Sequence, residues 1–244
     1  MTAPKMILFD YGGTLLYEPE FDPKKGNEAL FRLIKDNPNN ITVEEFTEYL
    51  TALFEEIRQL RSDLIEIHEH HFLRYLLEYF GITLAVPVEY AELEMFNAIT
   101  QPRITPGADI MLSELSKLGI RTGIISNLCW SGEALTSRIC QFFPDHRFEF
   151  IMTSSDYIFR KPDRHLFELA VRKSGLTADE IWFCGNDTAV DVIGAHRSGL
   201  FPVFYADKSF SQMHKISTDE SAIDFTYLKV NSWDDFVLKL KETL

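Results

Sequence analysis

The sequence contains few cysteines and few basic residues. Its 244 residues include three cysteines, Cys129, Cys140 and Cys184. An odd number without short paired spacings does not suit a disulfide framework, and the apolar, strand-like surroundings of Cys129 and Cys184 predict buried thiols in a reducing compartment. The 24 lysines and arginines are outnumbered by 37 aspartates and glutamates, so the formal net charge is −13. This acidic balance argues against binding to nucleic acid or to an anionic membrane surface.

Long apolar runs, repeats and low-complexity tracts are also missing. No apolar run approaches the roughly 20 residues of a membrane span. The N-terminal stretch MTAPKMILFD becomes acidic too early for a secretory leader. The most loop-like stretch is 209–224. With 45% hydrophobic residues, the chain can bury the core of one sizeable domain or of a core with an insertion. We therefore expect a soluble, cytoplasmic protein.

Residues 17–100 have the periodicity of helices. Between residues 46 and 60, apolar side chains recur at three- and four-residue spacings, which gives one apolar face. Further helices are predicted over residues 66–81, where Gly81 is a C-terminal stop, and over 27–37 and 87–99. Successive helices of this kind predict a small helical bundle.

From residue 101 onward, predicted strands and helices alternate. The predicted strands cover residues 120–127, 148–154, 180–187 and 200–206, and the helices cover 105–119, 163–175 and 189–199. The first strand, which ends at Asp10, must join the same sheet across the helical segment. The predicted fold class is therefore α/β. A Rossmann-like, doubly wound parallel sheet forms the core, residues 1–16 and 101–244, and an all-helical cap is inserted at 17–100.

Polar side chains gather where the predicted strands end, which is where open parallel sheets bind ligands. These residues are Asp10, Ser126, Asn127, Gly185, Asn186 and Asp187, with Lys161 in a loop before the next helix. The set suits phosphoryl transfer, because the lysine neutralises anionic charge, the hydroxyl and backbone N–H groups hold oxygens, and the carboxylates bind a hard cation.

Four motifs in order resemble those of the haloacid dehalogenase-like hydrolase superfamily. They are DYGGTL, IISN, RKPD and GNDTAVDVIGA, which begin at residues 10, 124, 160 and 185. The resemblance covers nearly the whole chain, and this superfamily places a cap where the helical segment lies. It implies that Asp10 is a nucleophile that forms an aspartyl-phosphate, with Lys161 as its catalytic partner. Ser126, with Asn127 beside it, matches the phosphoryl-binding hydroxyl.

The resemblance also implies a magnesium cofactor. Its expected ligands are Asp10, the backbone carbonyl of Gly12, and Asn186, Asp187 and Asp191 of the last motif. Asn186 departs from the family, which usually has an acid there. An amide oxygen still binds magnesium but carries no charge, so we expect Asp187 or Asp191 to supply the missing charge, directly or through water. The affinity for magnesium is then expected to be reduced.

Gly12 is the second departure. Most phosphatases of the superfamily have an aspartate here, which protonates the leaving alcohol and later activates water. Such a group is typically worth about 10²–10⁴ in rate. Glycine keeps the carbonyl that faces the metal and deletes the acid. Gly12 and its neighbour Tyr11 are expected to border the substrate, and a water, the substrate itself or a cap residue must move the proton.

Other branches of the superfamily also lack this aspartate. Dehalogenases have a tyrosine at the position of Gly12, and Tyr11 is displaced from it by one residue. Phosphonatases use a cap lysine, for which Lys24 and Lys25 are candidates, although the DPKKG stretch is expected to be a polar loop. His68 and His71 could supply a proton from the cap, but packing on a predicted helix with Leu64 and Tyr75 is the favoured interpretation.

The leading hypothesis is a magnesium-dependent hydrolase of a small phosphorylated metabolite, with neither nucleic acid nor membrane as a partner. The alternatives are a phospho-ligand-binding or regulatory protein with weakened catalysis, and a carbon-bond hydrolase of the phosphonatase or dehalogenase type. The sequence leaves the oligomeric state open.

Overall fold

The computed structural model describes residues 2–207 and 216–244. Within these ranges the strands are β1 (Met6–Phe9), β2 (Leu16–Tyr17), β3 (Ile34–Asp36), β4 (Thr83–Leu84), β5 (Arg103–Ile104), β6 (Arg121–Ser126), β7 (Ile151–Thr153), β8 (Ile181–Gly185), β9 (Phe201–Tyr205) and β10 (Leu228–Val230). The helices are α1 (Pro23–Phe31), α2 (Val43–Ser62), α3 (Glu69–Phe80), α4 (Val88–Ile99), α5 (Ala108–Lys117), α6 (Gly132–Phe142), α7 (Ser154–Tyr157), α8 (Arg164–Ser174), α9 (Ile193–Arg197) and α10 (Trp233–Lys241).

A parallel sheet forms the centre of the fold. In the described residues it has six strands in the order β10-β9-β8-β1-β6-β7, and β1 pairs in parallel with β6 on one side and β8 on the other. The first strand thus joins the later ones across the helical segment, as the sequence predicts. Crossover connections of this kind put helices on both faces of the sheet, and the α/β, Rossmann-like prediction is confirmed.

The two faces of the sheet each bury a hydrophobic cluster. In β1, Ile7 and Phe9 belong to one cluster and Met6 and Leu8 to the other. This alternation follows from the two-residue period of a strand, and both faces are buried because helices cover both. The carboxyl end of β1 is consequently held on two sides at the middle of the sheet.

The helical segment encloses a third hydrophobic cluster. Its members come from α1 to α4 and include Leu30, Phe46, Leu73 and Phe96. Trp130 and Ala134, which follow β6 in the chain, belong to the same cluster. The helical segment is therefore packed on the start of α6, and β2 and β5, which pair antiparallel, connect it to the rest of the fold.

Two predicted helices of this segment have different bounds in the structure. The helix expected over residues 27–37 ends at Phe31, and Ile34–Asp36 forms a short antiparallel ladder with Thr83–Leu84. Apart from this ladder, the elements between residues 23 and 99 are helices. The helix expected from residue 66 begins at Glu69, because His68 caps it: Nδ1 of His68 accepts a hydrogen bond from the His70 N–H.

Two further expectations differ from the structure, and a third falls only partly within the described residues. The DPKKG stretch is the start of α1 rather than a loop, because Asp22 caps the helix and Pro23 takes its first position. Cys129 lies half-buried in the loop after β6 rather than in a strand. Of the loop expected at 209–224, residues up to 215 lie outside the described residues, and 216–224 contain neither helix nor strand.

The helices described here include none that is both long and apolar enough to cross a membrane.

Candidate active site

The nine predicted site residues line one cavity. Its volume is about 340 Å³, within the usual range for small-molecule sites. The residues are Asp10, Tyr11, Gly12, Ser126, Asn127, Lys161, Asn186, Asp187 and Asp191. The cavity lies at the carboxyl ends of β1, β6 and β8, because Asp10 follows β1, Ser126 ends β6 and Asn186 follows β8. The sheet therefore brings together residues that are up to 181 positions apart in the chain (10 to 191).

Lys161 is the electrostatic centre of the site. Its Nζ donates to Oδ1 of Asp10 at 2.6 Å and to Oδ1 of Asp191 at 2.7 Å. Burial alone would lower the pKa of Lys161, but the two carboxylates outweigh it and raise the pKa. The lysine therefore stays charged, and it holds the candidate nucleophile in a fixed position between β1 and the last motif.

The carboxyl group of Asp10 is buried and carries less charge than a free aspartate. Burial raises its pKa to about 6, although the charge of Lys161 lowers it, and the neighbouring Asp191 adds to the rise. Four carboxyl groups line the cavity, those of Asp10, Glu18, Asp187 and Asp191, and Lys161 is one of its two cations. Arg160 also lines the cavity, but its guanidinium is paired with the buried carboxylate of Glu66.

Ser126 and Asn127 follow each other, but their side chains have different surroundings. The Ser126 hydroxyl lines the cavity and has no hydrogen-bond partner among the described residues, so it is available to a ligand. The Asn127 amide is engaged on both sides: Oδ1 accepts from the Lys161 N–H at 2.7 Å, and Nδ2 donates to the Lys161 carbonyl at 2.8 Å. Asn127 therefore holds the backbone of Lys161 in place.

Two glycines leave room for the polar side chains of the last motif. Gly13 has φ +73°, and a Cβ there would lie 2.2 Å from Nδ2 of Asn186. A Cβ on Gly185 would lie 2.3 Å from Oδ2 of Asp191. Real Cβ atoms do not approach other atoms this closely, so glycine at both positions lets Asn186 and Asp191 reach the cavity. Gly12 differs, because a Cβ built there meets no atom of the described residues within 4 Å.

Asp187 and Asp191 play different structural parts. Oδ1 of Asp187 accepts from the N–H groups of Ala189 and Val190, and Oδ2 accepts from that of Ser217. Asp187 thus caps the π-helical turn of Thr188–Val192. Asp191 lies inside that turn, fully buried, with Oδ1 on Lys161 and Oδ2 accepting from the Asp187 N–H at 3.0 Å.

The donor set suits a hard divalent cation. A carboxylate (Asp10), a backbone carbonyl (Gly12), an amide (Asn186) and a second carboxylate (Asp191) offer oxygen atoms only, which magnesium prefers. Among the described residues nothing donates a hydrogen bond to the Gly12 carbonyl or to the Asn186 side chain. The excess negative charge around Asp10 also favours a cation. These residues therefore fit magnesium.

Sequence reasoning did not identify Glu18 and Arg160 as lining residues. Oε1 of Glu18 accepts a hydrogen bond from the Tyr11 hydroxyl at 2.9 Å and another from Nη1 of Arg138 at 3.0 Å. Tyr11 is itself buried, and burial raises its pKa well above its usual range. The sequence does carry a signal for Glu18, since it is an acid eight residues after Asp10, where the helical segment is predicted to begin.

The cap residues considered as alternatives lie elsewhere. Lys24 forms an exposed ion pair with Glu44 at 3.0 Å, and neither Lys24 nor Lys25 is among the described residues that line the cavity. His68 and His71 are likewise outside that lining. Nε2 of His68 lies 3.4 Å from Oδ1 of Asp156, and His71 is exposed.

A second cluster of potential metal ligands is satisfied by hydrogen bonds. His68, His70 and Glu92 lie close enough together to hold an ion. Oε2 of Glu92, however, lies 2.8 Å from Nε2 of His70 and accepts from the Ser131 hydroxyl, and Oε1 accepts from the Ser131 N–H. The cluster joins α3 and α4 to the start of α6.

Comparisons with known proteins agree on one family. The profile of the haloacid dehalogenase-like hydrolases matches residues 7–204. A glyceraldehyde 3-phosphate phosphatase of Methanothermobacter thermautotrophicus is 23% identical over 245 aligned positions, which cover 98% of this chain and 99% of the relative.

Two solved structures share the fold over almost the whole chain. A HAD phosphatase of Thermococcus onnurineus has a TM-score of 0.60 at 19% identity, with 98% of each chain covered. A 2-haloacid dehalogenase of Pseudomonas syringae pv. Tomato DC3000 also has a TM-score of 0.60, at 20% identity, with 99% of this chain and all of the other covered. Since these two have different names, the shared fold alone does not identify a reaction.

Proposed function

Because the chain belongs to the haloacid dehalogenase-like hydrolase family and is a hydrolase, we propose that it removes the phosphoryl group from a small phosphorylated sugar. The relative named above, a glyceraldehyde 3-phosphate phosphatase, aligns with this chain over almost its entire length. A cavity of about 340 Å³ suits a substrate of that size. The core of the proposed enzyme is residues 1–16 and 101–244, and residues 17–100 are its cap.

The observation that carries the proposal is the position of Lys161. An ammonium group 2.6 Å from Oδ1 of Asp10 holds the carboxylate that would attack phosphorus and can accompany the charge of the incoming phosphoryl group. The Ser126 hydroxyl, which has no partner within the described residues, can donate to a phosphoryl oxygen. A protein that only binds a phosphorylated ligand does not need a nucleophile in this position, so a regulatory role is the weaker alternative.

Magnesium is the proposed cofactor. Asp10, the Gly12 carbonyl and Asn186 would hold it, with Asp191 behind them as the second carboxylate. When bound, it would supply positive charge for the phosphoryl oxygens. The oxygens of Asp187 are engaged by three backbone N–H groups, and we therefore assign Asp187 to the turn and only indirectly to the metal.

The chain's own residues then have distinct parts in the reaction. Asp10 attacks the phosphorus, and the bond to the leaving oxygen breaks, which leaves an aspartyl-phosphate. Lys161 and Ser126 hold the phosphoryl oxygens, and Asn127 keeps Lys161 in position through the lysine backbone. A water molecule then attacks the phosphorus and restores the Asp10 carboxylate.

A panel of phosphorylated metabolites, with and without magnesium, tests the proposal. We expect phosphate release from glyceraldehyde 3-phosphate or another small sugar phosphate, dependent on magnesium and abolished by Asp10→Asn. Substrates with good leaving groups, such as acyl or aryl phosphates, should be the fastest, because they need the least help from an acid.

Calorimetry should give weak magnesium binding, and nanomolar affinity would contradict the assigned ligand set. Release of halide or of an aldehyde by carbon–phosphorus cleavage would overturn the assignment.

A further inference from the structure

The proposed reaction lacks a group that moves protons. Without an aspartate at Gly12, nothing in the family pattern protonates the leaving oxygen or activates the water. The space is nevertheless present, since no described atom beyond Gly12 itself and its two chain neighbours lies within 4 Å of a Cβ built there. A side chain from elsewhere in the chain can therefore serve the region next to Asp10.

The carboxylates that line the cavity differ in how far they are engaged. Asp10 is the nucleophile. Both oxygens of Asp187 accept hydrogen bonds from backbone N–H groups. In Asp191, Oδ1 accepts a hydrogen bond from Lys161 and Oδ2 accepts one from the Asp187 N–H. Among the described residues, Glu18 is the remaining acid of the lining.

Glu18 is anchored through one oxygen. Oε1 accepts from the Tyr11 hydroxyl and from Nη1 of Arg138, whose side chain is only 1% exposed. No described residue donates to Oε2. Because two donors occupy Oε1, Oε2 is the oxygen of Glu18 that is left to accept a hydrogen bond from a ligand or a water molecule.

The turn after β1 brings Glu18 back to the site. The chain reverses after Tyr11, so that Leu16 lies beside Gly12: the Gly13 N–H donates to the Leu16 carbonyl at 2.7 Å, and the Leu16 N–H donates to the Tyr11 carbonyl at 3.1 Å. Glu18 follows two residues later, directly after β2. Glu18 therefore lines the same cavity as Asp10 and Gly12.

We infer that Glu18 is the general base of this hydrolase and takes the part that the missing aspartate at residue 12 would have in the second step. The inference rests on the proposed phosphatase function. In the first step, Asp10 bonds to phosphorus, the bond from phosphorus to the leaving oxygen breaks, and that oxygen takes a proton from solvent. In the second step, water bonds to phosphorus and gives a proton to Oε2 of Glu18, and the bond between phosphorus and Asp10 breaks. Glu18 then releases this proton to solvent, and the products are an alcohol and inorganic phosphate.

The test is a double-mutant cycle with Gly12→Asp. In the wild-type background, Glu18→Gln should lower kcat by about 10²–10⁴ on a sugar phosphate and should let the phosphorylated enzyme accumulate, because its hydrolysis is slowed. Glutamine has the same shape and still accepts from Tyr11 and Arg138. In the Gly12→Asp background, which supplies another acid, the same change should cost less than about tenfold.

The outcomes separate this inference from the proposed function. An equal loss in both backgrounds means that Glu18 acts only through its contact with Arg138, and this overturns the inference. Full activity of Glu18→Gln with no accumulation overturns it as well, while the phosphatase proposal stands. If the wild-type protein neither releases phosphate nor becomes phosphorylated, the proposed function itself fails. Glu20→Gln is the matched control, since Glu20 is exposed two residues further along, and it should leave kcat unchanged.

Discussion

Removal of the Lys161 ammonium should destabilise the protein in a manner that depends on pH. The variant is Lys161→Met, which keeps most of the buried volume and leaves two carboxylates where a single cation bridged them at 2.6 and 2.7 Å. Lys161 is almost completely buried. Loss of one partner from a buried ion pair typically costs about 3–5 kcal/mol.

The carboxyl group of Asp10 decides how the stability of Lys161→Met changes with pH. The pKa of Asp10 is already raised to about 6 in the folded protein, mainly by burial, and the loss of Lys161 raises it further. A carboxyl group whose pKa is higher in the folded state contributes its full stability below its unfolded pKa and loses it as pH rises through the folded value. Lys161→Met should therefore be close to the wild type near pH 5 and least stable near pH 8.

Thermal unfolding between pH 5 and pH 8 measures the effect. For a chain of this length, 3–5 kcal/mol corresponds to a fall in Tm of about 6–20 °C at pH 8. Adding Asp191→Asn to the variant removes one of the two carboxylates that repel each other, and it should recover part of the lost Tm. An unchanged Tm at pH 8, or a loss of the same size at both pH values, would refute the electrostatic role of Lys161.

Two further predictions concern residues outside the reacting atoms. Asn127→Ala should lower kcat by roughly 10–100-fold with a smaller change in KM, because Lys161 loses both hydrogen bonds that fix its backbone. Asn127→Asp keeps only the hydrogen-bond acceptor, so its kcat should lie between those of the wild type and Asn127→Ala. Equal kcat values for all three proteins would show that Asn127 does not position Lys161. Burial raises the pKa of Glu69 from 4.5 to about 7, so its contribution to stability is complete below pH 4.5 and is lost as pH rises through 7, at most about 3 kcal/mol for this half-buried side chain. Glu69→Gln should remove this fall in the free energy of unfolding between pH 5 and pH 8, as measured by chemical unfolding. An unchanged difference between the two pH values would show that the Glu69 carboxyl does not cause it.

Much of the fold could be predicted because the responsible signals are local. Buried strands alternate with helices after residue 101, and the residues that end β1, β6 and β8 are those that the motifs single out. In a parallel sheet the carboxyl ends of neighbouring strands lie at the same edge, so residues that follow these ends come close together. The convergence of Asp10, Ser126 and Lys161 could thus be predicted without knowledge of a single side-chain contact.

The contacts that could not be predicted join distant parts of the chain. Asn127 reaches the backbone of a residue 34 positions away, and Arg138 reaches Glu18 across 120 positions. Whether an amide binds a ligand or a neighbouring backbone depends on the packing of the loops and not on residue type. Asp187 is a similar case, since its function as a cap is set by the π-helical turn that follows it.

The shifted helix bounds have a related cause. Residues 32–36 carry helical periodicity, but the backbone pairs with Thr83–Leu84 instead of continuing α1. His68 is a second case, in which a polar side chain moves the start of a predicted helix from residue 66 to Glu69 by accepting a backbone N–H. In both places a tertiary or capping contact outweighs the periodic pattern.

In the proposed reaction Asp10 becomes phosphorylated during turnover. Rapid quenching in acid after mixing with magnesium and a sugar phosphate, followed by mass spectrometry of the peptides, detects this intermediate. We expect the mass of one phosphoryl group on the peptide that contains Asp10, lost on brief treatment with base and absent in Asp10→Asn. Phosphate release without any phosphorylated peptide, under conditions where Glu18→Gln also shows none, would contradict the assignment of Asp10 as the nucleophile.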